Sequence, residues 1–210
     1  MTPERFEGIA RSIAPEARKA VYARCPDQHV GTLTDVYGAL DFPQREEVSP
    51  CPGMRVILVM ESPHKAEFVD EEHVGPAKGP TGAHIRKHLQ AVLRSIRSVS
   101  ENSQLVLMNA VQYQCSLNED TRVYRDKVFQ TAWREGGGKE DFRERLKDVF
   151  RERDLVINAC TRGKTTPPLR DMVKEAIDEE VGAHWRTAHP YSWRLPVRTI
   201  AISQGNPPAH

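Results

Sequence analysis

The chain has 210 residues, 39% of them hydrophobic and 28% charged; 30 Lys and Arg face 29 Asp and Glu, for a formal net charge of +1. That length suits one domain of the larger kind, and the balanced charge excludes a globally basic nucleic-acid binder while leaving room for a local basic face. No apolar run approaches the roughly 18 residues of a membrane span, and Met1 to Arg5 hold no apolar signal region, so a cytoplasmic protein without membrane partners is expected. Cys25, Cys51, Cys115 and Cys160 are widely separated and form no C-x-x-C pair, which speaks against a disulfide framework.

Residues 3 to 24 predict helix, with Phe6, Ile9, Ala10, Ile13, Ala17 and Val21 as an apolar stripe that Pro15 splits in two. Residues 40 to 54 predict a loop. Val56 to Met60 is a continuous apolar run, the pattern of a strand buried on both faces of a parallel sheet. It ends abruptly in Glu61-Ser62-Pro63-His64. Gly75 to Gly82 predicts a second loop, followed by a helix with Ile85, Leu89, Val92, Leu93 and Ile96 on one face and Arg86, Lys87, Arg94 and Arg97 on the other.

Leu105 to Asn109 predicts a second buried strand. Residues 118 to 138 read as irregular. A charged helix is expected from about Glu140 to Arg151, then a third strand from Leu155 to Cys160, then a helix through Leu169, Met172, Val173, Ala176 and Ile177. Trp185 to Ala188 and Val197 to Ser203 predict a fourth and a fifth strand. Alternation of this kind predicts a parallel α/β sheet with helices on both faces. In such sheets ligands bind outside the C-terminal ends of the strands. Those ends carry Glu61 to His64, then Asn109, then Asn158 with Thr161 and Arg162, and finally His189-Pro190-Tyr191-Ser192-Trp193.

In order and approximate spacing this set resembles the uracil-DNA glycosylase superfamily. Met60-Glu61-Ser62-Pro63-His64 looks like that family's first motif, G-x-(D/E/N/A)-P. Leu105 to Val111 looks like its second strand, which ends in Asn, and His189-Pro190-Tyr191-Ser192-Trp193 looks like its final motif, H-P-S-P-L-S. The match covers residues 55–193. Met60 stands at the family's first Gly, and Ser62 at the Asp that positions water in the best-known branch. Glu61 is then the nearest carboxylate. Another branch, with G-E-A-P, also has Glu there; it binds an iron–sulfur cluster through cysteines that this chain does not reproduce. Tyr191 replaces a small phosphate-contacting Ser, and Trp193 stands at the Leu wedge.

The resemblance implies a single domain over 1–210, with an N-terminal helical segment over 1–50. It implies a three-layer α/β/α sandwich around a central, mostly parallel four-stranded sheet. It implies a monofunctional DNA glycosylase that flips uracil or a modified, bulky pyrimidine out of DNA and leaves an abasic site, in repair or anti-phage defence. Glu61 and His189 would be catalytic. Asn109, Ser62 and His64 would bind the base. Trp193, Tyr191, Ser192, Arg194 and Arg186 would bind DNA. No metal or other cofactor is expected; the partner is double- or single-stranded DNA, and the protein a monomer.

Two alternatives stay open. His84 and His88, one helical turn apart, suit a metal-dependent hydrolase, with His64, Glu67, Asp70, Glu71 and His73 upstream as further donors. A non-catalytic module with the glycosylase fold would bind DNA or a protein and do no chemistry.

Overall fold

The computed structural model describes residues 1–17, 22–42, 53–69, 72–73, 75, 77–117, 123–193 and 203–204. The first helix, α1 (Pro3–Ile13), starts where Thr2 caps it by accepting Arg5 N–H at 3.3 Å, with a proline in its first turn. It stops before Pro15, as expected. Residues 18–21, where a second helix was expected, lie outside the described residues.

The N-terminal segment is not purely helical. Strand β1 (Gln28–Thr32) and the short helix α2 (Leu33–Val36) follow, the latter opened by a reciprocal cap between Thr32 and Asp35. Then come β2 (Arg55–Met60), a two-stranded ribbon of β3 (Phe68–Val69) and β4 (Glu72–His73), and α3 (Pro80–Leu93). After β5 (Gln104–Asn109), helix α4 (Arg125–Arg134) occupies much of the stretch read as irregular. The remaining elements are α5 (Gly138–Val149), β6 (Leu155–Asn158), α6 (Leu169–Val181), β7 (Trp185–Arg186) and β8 (Ser203–Gln204).

The main sheet has six strands in the order β1-β5-β2-β6-β7-β8, rather than the four the resemblance implies; of the fifth strand expected over Val197 to Ser203, all but Ser203 lies outside the described residues. The four inner strands are parallel, while β1 and β8 run antiparallel to their neighbours. The two faces divide the apolar runs by period two. Ile57, Val59, Val106, Met108 and Val156 face Phe6, Phe129, Trp133, Phe142 and Leu146. Leu58, Leu105, Leu107 and Ile157 face Val36, Ile85, Leu89 and Trp193. Each fully buried side chain of this size contributes about 1.5–3 kcal/mol. Helices thus cover both faces of a mostly parallel sheet. Among the described residues no helix is long and apolar enough to cross a membrane.

A buried ion pair fixes the opposite end of the sheet. Arg55, at the start of β2, meets Asp154 just before β6 through its backbone N–H and Nε, both at 2.9 Å, and through Nη2 at 2.6 Å. That pins the register in which Val59 pairs with Asn158 and Met60 with Asn109. The C-terminal ends of three strands therefore reach one rim.

Candidate active site

The chain runs from β2 outward to β5 on one side, then returns to lay β6 on the other side of β2. The strand order reverses between β2 and β6, which is where open α/β sheets bind ligands. A cavity of about 330 Å³ opens there, within the range of small-molecule sites. Glu61, Ser62, His64, His189 and Tyr191 all line it. Five residues singled out from two separate sequence features are thus brought together.

Glu61 is the first residue past β2 and is 6% exposed. Both neighbouring strands hold it. Its carbonyl accepts Val111 N–H at 2.9 Å from beyond β5, and its Oε2 accepts Thr161 N–H at 3.0 Å from beyond β6. The carboxylate therefore straddles the reversal point with its orientation set by backbone.

His189 Nε2 lies 3.6 Å from the same Oε2. His189 also opens the tight turn Pro190–Ser192, its Nδ1 accepting Tyr191 N–H at 3.2 Å. A nitrogen that accepts carries no proton, so in the neutral ring the proton sits on Nε2. His64 is built in the same way. Its Nδ1 accepts Ala66 N–H at 3.1 Å, and burial, then Lys65, then His189 hold its pKa below the usual histidine range. Protonating it would sacrifice that bond and place one more cation beside others.

Thr161, from the third strand end, and Glu67, one of the metal donors considered above, also line the cavity, as does Arg125, which no sequence feature singled out. Glu67 is 4% exposed; Oε1 accepts His64 N–H at 3.2 Å, and Oε2 lies 3.4 Å from the Cys25 thiol. Burial pushes the Cys115 thiol far up, against a smaller lowering influence of Ser62. Burial also raises the Cys160 thiol. Neither sulfur is a nucleophile at neutral pH.

Asn109 does not line the cavity. It is 1% exposed, with Nδ2 turned to Cys25 Sγ at 3.7 Å, and its carbonyl accepts Arg145 Nη2 at 3.1 Å. Its partner Cys25 in turn reaches Glu67, which does line the cavity, so in this arrangement the Asn109 amide is one contact removed from the lining.

Trp193 requires a correction. Its indole is 0% exposed, packs in the core under β2 and β5, and donates Nε1–H to Ala188 O at 2.9 Å. A ring held in this way cannot enter a base stack; burial of its large apolar area outweighs the exposed role. Tyr191 is the exposed aromatic instead, at 54%, stacked on His84 with ring centroids 5.8 Å apart. Ser192 donates its hydroxyl to His189 O at 2.7 Å and does not line the cavity. Arg186 is exposed on β7 and outside the cavity, and Arg194 lies outside the described residues.

His84 has one nitrogen committed: Nδ1 donates to Trp193 O at 2.8 Å. Among the described residues no three His, Cys, Asp or Glu side chains form a group that could hold a metal. Asp70 and Glu71 lie outside those residues. No family model, no curated protein and no solved structure matches the chain.

Proposed function

We propose that this chain is a DNA glycosylase of uracil-DNA glycosylase type, hydrolysing the N-glycosidic bond of uracil or a modified pyrimidine flipped out of DNA. The observation that carries this reading is the pairing of Glu61 with His189 at the point where the strand order reverses. Enzymes that act on a base take it out of the stack and into a pocket. The reaction needs a group to direct water and a group to receive charge on the departing base.

Glu61 supplies the first. Its carboxylate, fixed by Thr161 N–H, orients water toward the anomeric carbon and takes a proton from it. The water oxygen bonds to that carbon as the carbon–nitrogen bond breaks, and the base leaves with the electron pair. His189 supplies the second. At 3.6 Å its Nε2–H is beyond hydrogen-bond length of Glu61, and so is left to donate to the base as negative charge builds. With the Asn109 amide removed from the lining, Ser62 and His64 are the groups assigned to the base edge.

The test is a base-release assay on uracil-containing and pyrimidine-modified DNA, read as abasic sites. Glu61→Gln keeps the shape and removes the basic oxygen. It is expected to lower release roughly 10²–10⁴-fold and to leave DNA affinity near that of the parent. Binding without release from any substrate would instead favour the non-catalytic module.

A further inference from the structure

Arg125 enters the same cavity from the first turn of α4, and the chemistry assigned to Glu61 and His189 gives it no task. Its side chain is only 18% exposed. Asp126 holds it along one edge: Nε and Nη2 both reach Asp126 Oδ1 at 2.8 Å. Asp126 is fixed in turn, since its Oδ2 accepts Lys164 N–H at 2.6 Å. A guanidinium has five N–H donors in a planar fork, so a positioned edge remains for a ligand.

The charge around the cavity narrows what that ligand is. Among the described lining residues Arg125 is the one permanent cation, against the carboxylates Glu61 and Glu67. The first turn of α3, with Pro80 and Thr81 at the wall, has no side-chain cap and adds its own partial positive charge. A sphere of the cavity's volume is about 9 Å across, the scale of a small ligand site. A nucleotide filling it meets Glu61 and Arg125 together. At neutral pH its base and sugar are uncharged and its phosphate is not. Guanidinium matches phosphate bidentately.

We infer that Arg125 binds a backbone phosphate of the strand whose base enters the cavity. The inference takes its substrate from the glycosylase reading and adds a charge anchor beside the reacting centre. Arg186 and Arg194, which the resemblance assigns to DNA binding, lie on another part of the chain.

The full chain is titrated with a labelled single-stranded oligonucleotide over a series of salt concentrations. Loss of one phosphate contact lowers the slope of log affinity against log salt by about 0.7 for single strands. Arg125→Gln and Arg125→Ala are expected to lose that amount, and Arg125→Lys to keep it, with melting temperatures measured beside them. A slope unchanged in the folded neutral variants overturns the inference, because a packing role changes affinity without changing salt dependence. Dependence on Arg125 seen only with a free pyrimidine nucleoside monophosphate overturns it as well. Base release by the parent protein is scored separately. An Arg125-dependent slope in a protein that releases no base leaves the phosphate contact standing and sinks the glycosylase reading.

Discussion

Two aromatic residues two positions apart have opposite environments. Tyr191 is 54% exposed at the cavity mouth, and Trp193 is 0% exposed in the core. Deleting a buried large aromatic removes its transfer energy and leaves a void, at a cost of about 3–5 kcal/mol. Surface truncations away from special features stay within about 0.5 kcal/mol. Trp193→Ala is therefore expected to shift the urea midpoint strongly downward, and Tyr191→Ala to leave it nearly in place. Equal midpoints for the two variants would contradict the burial of Trp193. Sequence alone did not separate these residues, because both follow His189 in a polar, proline-containing turn, and nothing local says which ring turns inward. Glu61 and His189 were legible for different reasons. Glu61 ends an apolar run, and where a buried strand stops its next side chain reaches the rim whatever the details of packing; His189 stood out by its His-Pro motif, three residues past β7. Asn109 also ends an apolar run, yet its side chain turned toward Cys25 instead of the cavity. Register fixes which residue reaches the rim; the rotamer then depends on neighbours far away in sequence.

At the scale of elements, α3 depends on one close approach. A Cβ on Gly82 would lie 1.6 Å from Ala77 O, so the loop before α3 packs directly on the helix backbone. Gly82→Ala must push that loop away. Overpacking of this kind costs about 1–3 kcal/mol, and it moves Pro80 and Thr81 at the cavity wall. Gly8, in the middle of α1, is the control: it is exposed, and nothing lies within 4 Å of its added Cβ. Gly8→Ala is expected to raise stability by about 0.5–1 kcal/mol through helix propensity alone. Thermal melts that place both variants on the same side of the parent would refute this contrast. The elements missed in sequence have identifiable causes. In α4 the stripe of Val128, Phe129, Ala132 and Trp133 does repeat at helical spacing, but polar residues before it and the Gly136 to Gly138 run after it hid the period. In β1 only Val30 is apolar among Gln28, His29, Gly31 and Thr32. An edge strand paired on one side needs no continuous apolar run, so the main strand signal was absent.

For the whole molecule, histidines whose charged form the fold disfavours, the partly buried His64 and the buried His184 among them, set an acid limit. Burial is the first cause lowering the pKa of His64 and of His184, where it outweighs nearby Asp178. Both folded-state values lie below the ordinary value of about 6.5. Below that pH the unfolded chain binds more protons than the folded one, so stability rises with pH there. The contribution is intact above about pH 6.5 and is lost as pH falls through and beneath it. Urea midpoints measured from pH 7.5 down to 5.5 should fall, and His184→Asn should flatten the decline. A midpoint that holds level or rises toward pH 5.5 would show that these rings do not resist protonation. The layered α/β architecture was the most legible property of the chain, because apolar runs alternating with helical stripes are set by burial alone. The two antiparallel edge strands were not legible as such, since pairing direction leaves no mark on composition.

The bond from Thr161 N–H to Glu61 has a consequence for how this site can change over time. The donor belongs to the main chain, and every residue except proline carries it. Position 161 can therefore drift through nearly any amino acid while the carboxylate stays in place. A part of the machinery held in this way leaves no fixed letter in the sequence. Chains that share the arrangement can differ there freely, and only the geometry reveals the kinship.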